Sequence, residues 1–170
     1  MKYCKTTTEN HPLATQYPHC VEELNSIFAN EGYTGEGVLF NQEQTGINLD
    51  SIEEERSKSL PRQRGSIGKS IDFTFGVNNT STDEKYMVLT ELKLNHVDVR
   101  RNLKYEEIEG KITASLRTIA DDTEVLHQYY FLFSDSVIEQ ARYKFSRLYP
   151  GINRSRVAST VTEWHDLFFA

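Results

Sequence analysis

The chain has 170 residues and a mass of 19.6 kDa, with 38% hydrophobic residues, 26% charged residues, a net charge of -6 and a pI of about 5.4. That length suits a single domain over residues 1–170 with its own core, and the composition is too apolar and aromatic for a disordered chain. The acidic balance argues against a protein that coats nucleic acid non-specifically, though not against an enzyme with a local basic groove.

No apolar run reaches the roughly 20 residues of a membrane span. The first residues lack the apolar stretch of a signal peptide. The expectation is a cytoplasmic protein with no membrane partner. Cys4 and Cys20 are too few for a disulfide framework.

In chain order, residues 20–31 carry Cys20, Val21, Leu24, Ile27 and Phe28 on one face. At about 100° per residue this predicts an amphipathic helix, ended at Gly32. A short strand is expected at residues 37–40. Residues 41–70 are polar and predict a long loop or insertion with a single helical turn, longer than most connections and so functional or mobile. Charge is segregated across this region: residues 36–55 hold acids and no base, whereas residues 56–71 hold Arg56, Lys58, Arg62, Arg64 and Lys69 and no acid.

Residues 71–77 alternate, with Ile71, Phe73, Phe75 and Val77 on one face, and residues 86–94 form a second apolar run. The polar segment between them predicts a β-hairpin. Tyr105, Ile108, Ile112, Leu116 and Ile119 repeat at helical spacing within residues 102–120. Residues 129–133 are a continuous apolar run, which predicts a buried strand pairing in parallel after the helical crossover. Helices are expected at residues 137–149 and about 155–168, separated by Pro150-Gly151. The order is α-β-β-β-α-β plus C-terminal helices, an α/β fold with a mixed central sheet flanked by helices.

The hairpin gathers charge. A symmetric loop pairs Val77 with Tyr86, Phe75 with Val88, Phe73 with Thr90 and Ile71 with Leu92. On the other face Asp72 then lies opposite Glu91, with Cβ atoms about 5 Å apart, and Lys93 follows about 7 Å along the strand. Like charges directly opposite destabilise a sheet. A divalent cation between them removes that cost, and hard oxygen ligands suit Mg²⁺ or Mn²⁺ with substrate phosphate and water. The same charges also suit a solvated network at a sheet edge.

Asp72, an intervening hairpin and then Glu91-Leu92-Lys93 in an apolar strand resemble the PD-(D/E)XK nuclease superfamily. The element order over about residues 20–134 matches that superfamily's restriction-endonuclease-like core, although Ile71 stands where its motif has Pro. The resemblance implies a hydrolase that cleaves phosphodiester bonds of DNA with Mg (or Mn) as cofactor. Asp72, Glu91 and the Leu92 backbone carbonyl would be the metal ligands, and Lys93 would orient the attacking water and stabilise charge on the phosphate. Members often add a glutamate from the first helix. Glu23, flanking the apolar face beside Ile27, is chosen ahead of Glu31 at the frayed helix end.

Nucleic-acid contacts are expected from Arg56, Arg62, Arg64 and Lys69, tethered directly before Asp72, and from Lys104 and Lys111 on the crossover helix. The alternative function is a non-catalytic interaction protein, for example a toxin-neutralising one, on the same fold. His11, His19, His96, His127 and His165 show no HExxH or paired spacing, and His19-Cys20 with Cys4 does not match a zinc pattern. Trp164, Phe168 and Phe169 are expected in the core or in a homodimer interface.

Overall fold

The computed structural model describes residues 1–35, 39–59, 69–119, 123–150 and 155–170. The chain opens with β1 (Lys2–Tyr3), α1 (Lys5–Glu9), α2 (Pro12–Gln16) and a 3₁₀ turn (Pro18–Cys20). Then come β2 (Val21–Glu23), α3 (Leu24–Asn30), β3 (Thr45–Asn48), α4 (Leu49–Ser59), β4 (Phe73–Asn78) and β5 (Lys85–Lys93). It closes with α5 (Val99–Asn102), α6 (Tyr105–Ile119), β6 (Val125–Phe133), α7 (Ile138–Leu148), β7 (Arg156–Thr160) and α8 (Val161–Phe168).

The strands form one mixed sheet in the order β2-β3-β4-β5-β6-β7, with β1 also paired to β4. Pairing is antiparallel up to β5 and parallel from β5 through β6 to β7. The parallel β5–β6 pair needs a crossover, and α6 supplies it, as the helical spacing of residues 102–120 predicts. The fold is therefore α/β with helices on both sides of the sheet.

Both sheet faces are buried, which explains why β5 and β6 read as near-continuous apolar runs. On one face Met87, Leu89, Phe131 and Phe133 pack with Ile108 and Ile112 of α6 and Phe145 of α7. On the other, Phe73, Phe75, Val88 and Leu132 pack with Phe28 of α3 and Trp164 and Phe168 of α8. Trp164 is fully buried, with its ring 5.6 Å from Phe28, 6.1 Å from Phe40 and 5.3 Å from Phe75. Trp164 and Phe168 are thus core residues.

Four expectations change. Residues 21–23 are strand, so the first helix starts only at Leu24. The region read as a loop at 41–70 contains β3 and α4; only Leu49 and Ile52 of α4 are buried, so a polar composition hid the helix. The helix expected from 155 splits into β7 and α8. Thr160 marks the junction: its side chain accepts from the Glu163 N–H while Glu163 accepts from the Thr160 N–H, a reciprocal capping box. Of the strand expected at 37–40, residues 37 and 38 lie outside the described residues, and 39 and 40 are not in a strand.

At Gly76 the backbone must be bare. A Cβ there would lie 2.5 Å from Thr7 Cβ and 2.6 Å from the Thr8 nitrogen. The close approach lets Gly76 donate its N–H to Thr8 Oγ1 at 2.8 Å and accept from the Cys4 N–H at 2.8 Å, which pins α1 to β4. Among the described residues, no helix is long and apolar enough to cross a membrane.

Candidate functional site

The hairpin register is the one a symmetric loop predicts. Phe73 pairs with Thr90, Phe75 with Val88 and Val77 with Tyr86. The ladder then stops. Ile71 gives its N–H to Ser115 Oγ of α6 at 2.7 Å and packs with Met87 and Leu89, on the face opposite Phe73 and Leu92. Asp72 therefore sits at a bend just before β4. Its Oδ2 accepts the Leu92 N–H at 2.5 Å, which ties the carboxylate to β5 in place of a ladder bond.

Within a strand, one residue's N–H and C=O point to the same edge. The Leu92 N–H goes to Asp72, so the Leu92 carbonyl also points to the Asp72 side, and Ile71 has given its own N–H to Ser115.

Glu91 is buried at 1% exposure, and its Oε1 accepts from both Lys93 Nζ at 2.7 Å and Lys111 Nζ at 2.6 Å. Lys111 comes from α6, one position before Ile112 of the buried stripe, and also lies 3.7 Å from Asp72 Oδ1. Glu91 Oε2 is buried with no hydrogen-bond partner among the described residues. Each carboxylate thus keeps one oxygen outside any short hydrogen bond.

A cleft of about 390 Å³ opens here, lined by the acids Glu31, Asp50, Asp72 and Glu91, by Lys69, Lys93 and Lys111, and by His96. A larger cleft of about 720 Å³, lined by residues such as Leu116, Val125 and Tyr129, holds none of these groups.

The electrostatics reflect crowding of acids in a buried site. Burial first, then Glu91, pushes the Asp72 carboxyl up to about 8, against the opposing pull of Lys111 and the Leu92 N–H. Burial alone would lower the Lys111 ammonium, but Glu91 and Asp72 outweigh it and hold Lys111 above its ordinary value. Burial raises Asp50 despite the hydrogen bond it accepts from Ser70. Burial, then Asp50 and Glu91, raises Glu31. Burial, then Lys93, lowers His96.

The cleft gathers four acids, three lysines and His96, with an unpartnered buried oxygen on Glu91. That composition fits a hard divalent cation. The residues able to hold one are Asp72, Glu91 and the Leu92 carbonyl.

The structure brings together Asp72, Glu91, Leu92, Lys93, Lys111 and Lys69. It does not bring in Glu23, which is exposed at the end of β2 because residues 21–23 are strand; Glu31, after α3, lines the cleft instead. Lys104 is exposed just before α6 and does not line the cleft. Arg56 lies on α4 and is engaged internally, bonded to Glu53 and Tyr17 at 3.3 Å each, with its guanidinium over the Tyr17 ring. Arg62 and Arg64 lie outside the described residues.

Asp50 was hidden because its helix reads as loop. A signal existed in Asn48, whose Oδ1 accepts the Ser51 N–H three residues on, as helix-capping side chains do. Compared with protein-family models, curated proteins and solved structures, the chain gives no match.

Proposed function

We propose that this protein is a divalent-metal-dependent nuclease of the PD-(D/E)XK, restriction-endonuclease-like kind, hydrolysing phosphodiester bonds of DNA in the Asp72–Glu91 cleft. One observation carries the reading: two buried carboxylates, Asp72 at the bend before β4 and Glu91 on β5, share a cleft with Lys93 and Lys111, and each keeps an oxygen outside short hydrogen bonds. Bound by Asp72, Glu91 and the Leu92 carbonyl, Mg²⁺ or Mn²⁺ supplies Lewis-acid polarisation of the phosphoryl oxygen and a more acidic water.

The chain's own residues do the rest. Lys93, ion-paired to Glu91 with its side chain 13% exposed, offers N–H donors to a non-bridging phosphate oxygen where charge develops. Lys111 is more deeply committed to Glu91 and Asp72, and keeps their charges compatible in one buried space. Glu31 and Asp50 line the same cleft with carboxyl groups raised above their ordinary range, suited to taking up the proton of the attacking water. Lys69 at the cleft offers a contact to a neighbouring backbone phosphate.

The test is cleavage of plasmid, single-stranded and branched DNA with Mg²⁺, with Mn²⁺ and with a chelator. Metal-dependent cleavage by wild type and its loss in Asp72→Asn, Glu91→Gln and Lys93→Ala is the expected result. A second reading, a non-catalytic interaction protein on the same scaffold, draws on the two lysines that already neutralise Glu91. It takes over if folded wild type cleaves none of these DNAs and Mg²⁺ leaves its melting temperature unchanged.

A further inference from the structure

The 3₁₀ turn Pro18–Cys20 ends against α4, and a second group of ligand atoms meets there. His19 Nε2 and Glu55 Oε2 are 2.7 Å apart, and these two atoms and Cys20 Sγ all lie within 4.8 Å of one another. Among the described residues this is the one group of three or more His, Cys, Asp or Glu side chains so closely gathered. The sequence pattern misses it because Glu55 lies 36 positions from His19.

The chemistry of the trio is distinct from that of the Asp72 cleft. An imidazole nitrogen, a sulfur and one carboxylate oxygen form a borderline-to-soft set, which selects Zn²⁺ over Mg²⁺. Tetrahedral bonds of about 2.0–2.3 Å set ligand atoms about 3.4–3.8 Å apart. The His19–Glu55 separation of 2.7 Å is shorter than that, so these two side chains must part to admit an ion. His19 and Glu55 have side chains 63% and 49% exposed, so their rotamers can open to admit an ion while buried Cys20 stays fixed in the core wall. An exposed His–Glu pair contributes little to stability and has no need of a cysteine beside it.

We propose that His19, Cys20 and Glu55 form a second metal site, which takes a Zn²⁺-class ion on one imidazole, one thiolate and one carboxylate with the fourth position open to water. The Cys20 thiol gives its proton to solvent as the sulfur–metal bond forms. The ion ties the 3₁₀ turn to α4 next to the Arg56–Tyr17 contact, and α4 is the helix that carries Asp50 to the candidate active site.

Co²⁺ titration of the chelator-treated full chain tests this. A thiolate ligand gives Co²⁺ an intense near-ultraviolet charge-transfer band, which an all-oxygen site cannot produce. Wild type is expected to show the band, Zn²⁺ to abolish it, and Asp72→Asn to retain it. Glu55→Gln and His19→Gln change exposed side chains; each should weaken Co²⁺ binding by at least about tenfold, since even outer-shell changes cost 10–100-fold at metal sites. Cys20→Ser should remove the band. The proposal fails if wild type saturated with Co²⁺ lacks the band, or if the band persists in Cys20→Ser. If Cys20→Ser does not fold, unchanged affinity in both Glu55→Gln and His19→Gln, with native circular dichroism, overturns it.

Discussion

Burial beside Glu91 pushes the Asp72 carboxyl up to about 8 in the fold, whereas an aspartate in an unfolded chain titrates near 4. Between about pH 4 and 8 the folded chain therefore holds a proton that the unfolded chain has lost. Stability without metal falls as pH rises through that window. Asp72→Asn keeps an oxygen to accept the Leu92 N–H but removes the ionisation. We expect it to flatten this slope and, at pH 8 without metal, to raise the melting temperature above that of wild type. The same variant should lose stabilisation by Mg²⁺. Parallel melting profiles for wild type and variant between pH 5 and 8 would contradict this account.

The two lysines separate by burial. Lys111→Met removes the cation that bridges Glu91 and Asp72 and leaves only Lys93 on Glu91, a loss of up to about 3–5 kcal/mol. Lys93→Ala leaves Lys111 on Glu91 and should cost about 1 kcal/mol while abolishing hydrolysis. Urea unfolding of both variants checks the contrast, and equal losses would mean that the lysines are interchangeable.

Among the elements, the β4–β5 hairpin was the most legible. Its alternating run and polar loop admit one register that buries Phe73, Phe75 and Val77 together, and that register carries Asp72 to Glu91. The same pattern misled at Ile71, because alternation cannot foresee a bend whose N–H is taken by Ser115 of a distant helix. α4 was illegible for a different reason. Leu49 and Ile52 are the only buried residues of a helix whose other side chains are polar or charged and bond to distant partners such as Tyr17 and Ser70, and Asp50 stayed hidden with it. β7 was lost because Val157 and Ala158 are compatible with either state, although the Thr160–Glu163 spacing spelled the helix start. Thr160→Ala should cost about 1 kcal/mol through that cap. Gly76→Ala should cost about 1–3 kcal/mol by overpacking against Thr7 and Thr8. Thermal denaturation reads both, and a silent Gly76→Ala would show that α1 can withdraw from β4 without loss.

For the molecule as a whole, a net charge of -6 means that any grip on DNA is local. Lys69 lines the cleft, so Lys69→Ala should weaken DNA binding equally across sequences and lower the log-affinity against log-salt slope by about one. Arg56→Ala should leave the slope alone and cost stability, since its guanidinium is spent on Glu53 and Tyr17. Fluorescence anisotropy on labelled duplexes across a salt series distinguishes the two, and a slope that moves with Arg56 but not with Lys69 would reverse the assignment.

The aromatic layer under the sheet also governs how the chain must fold. Trp164 rests on Phe28 and Phe40, and its neighbour His165 donates to the Leu39 carbonyl at 3.0 Å across 126 positions of sequence. Closing so long a loop carries a large entropic cost and slows folding relative to local contacts such as the turns of α6. The single tryptophan thus sits at a junction of segments far apart in sequence. Its fluorescence in a refolding experiment times the docking of α8 on α3, and we expect that signal to lag the helical ellipticity, which reports local contacts; coincident phases would contradict this.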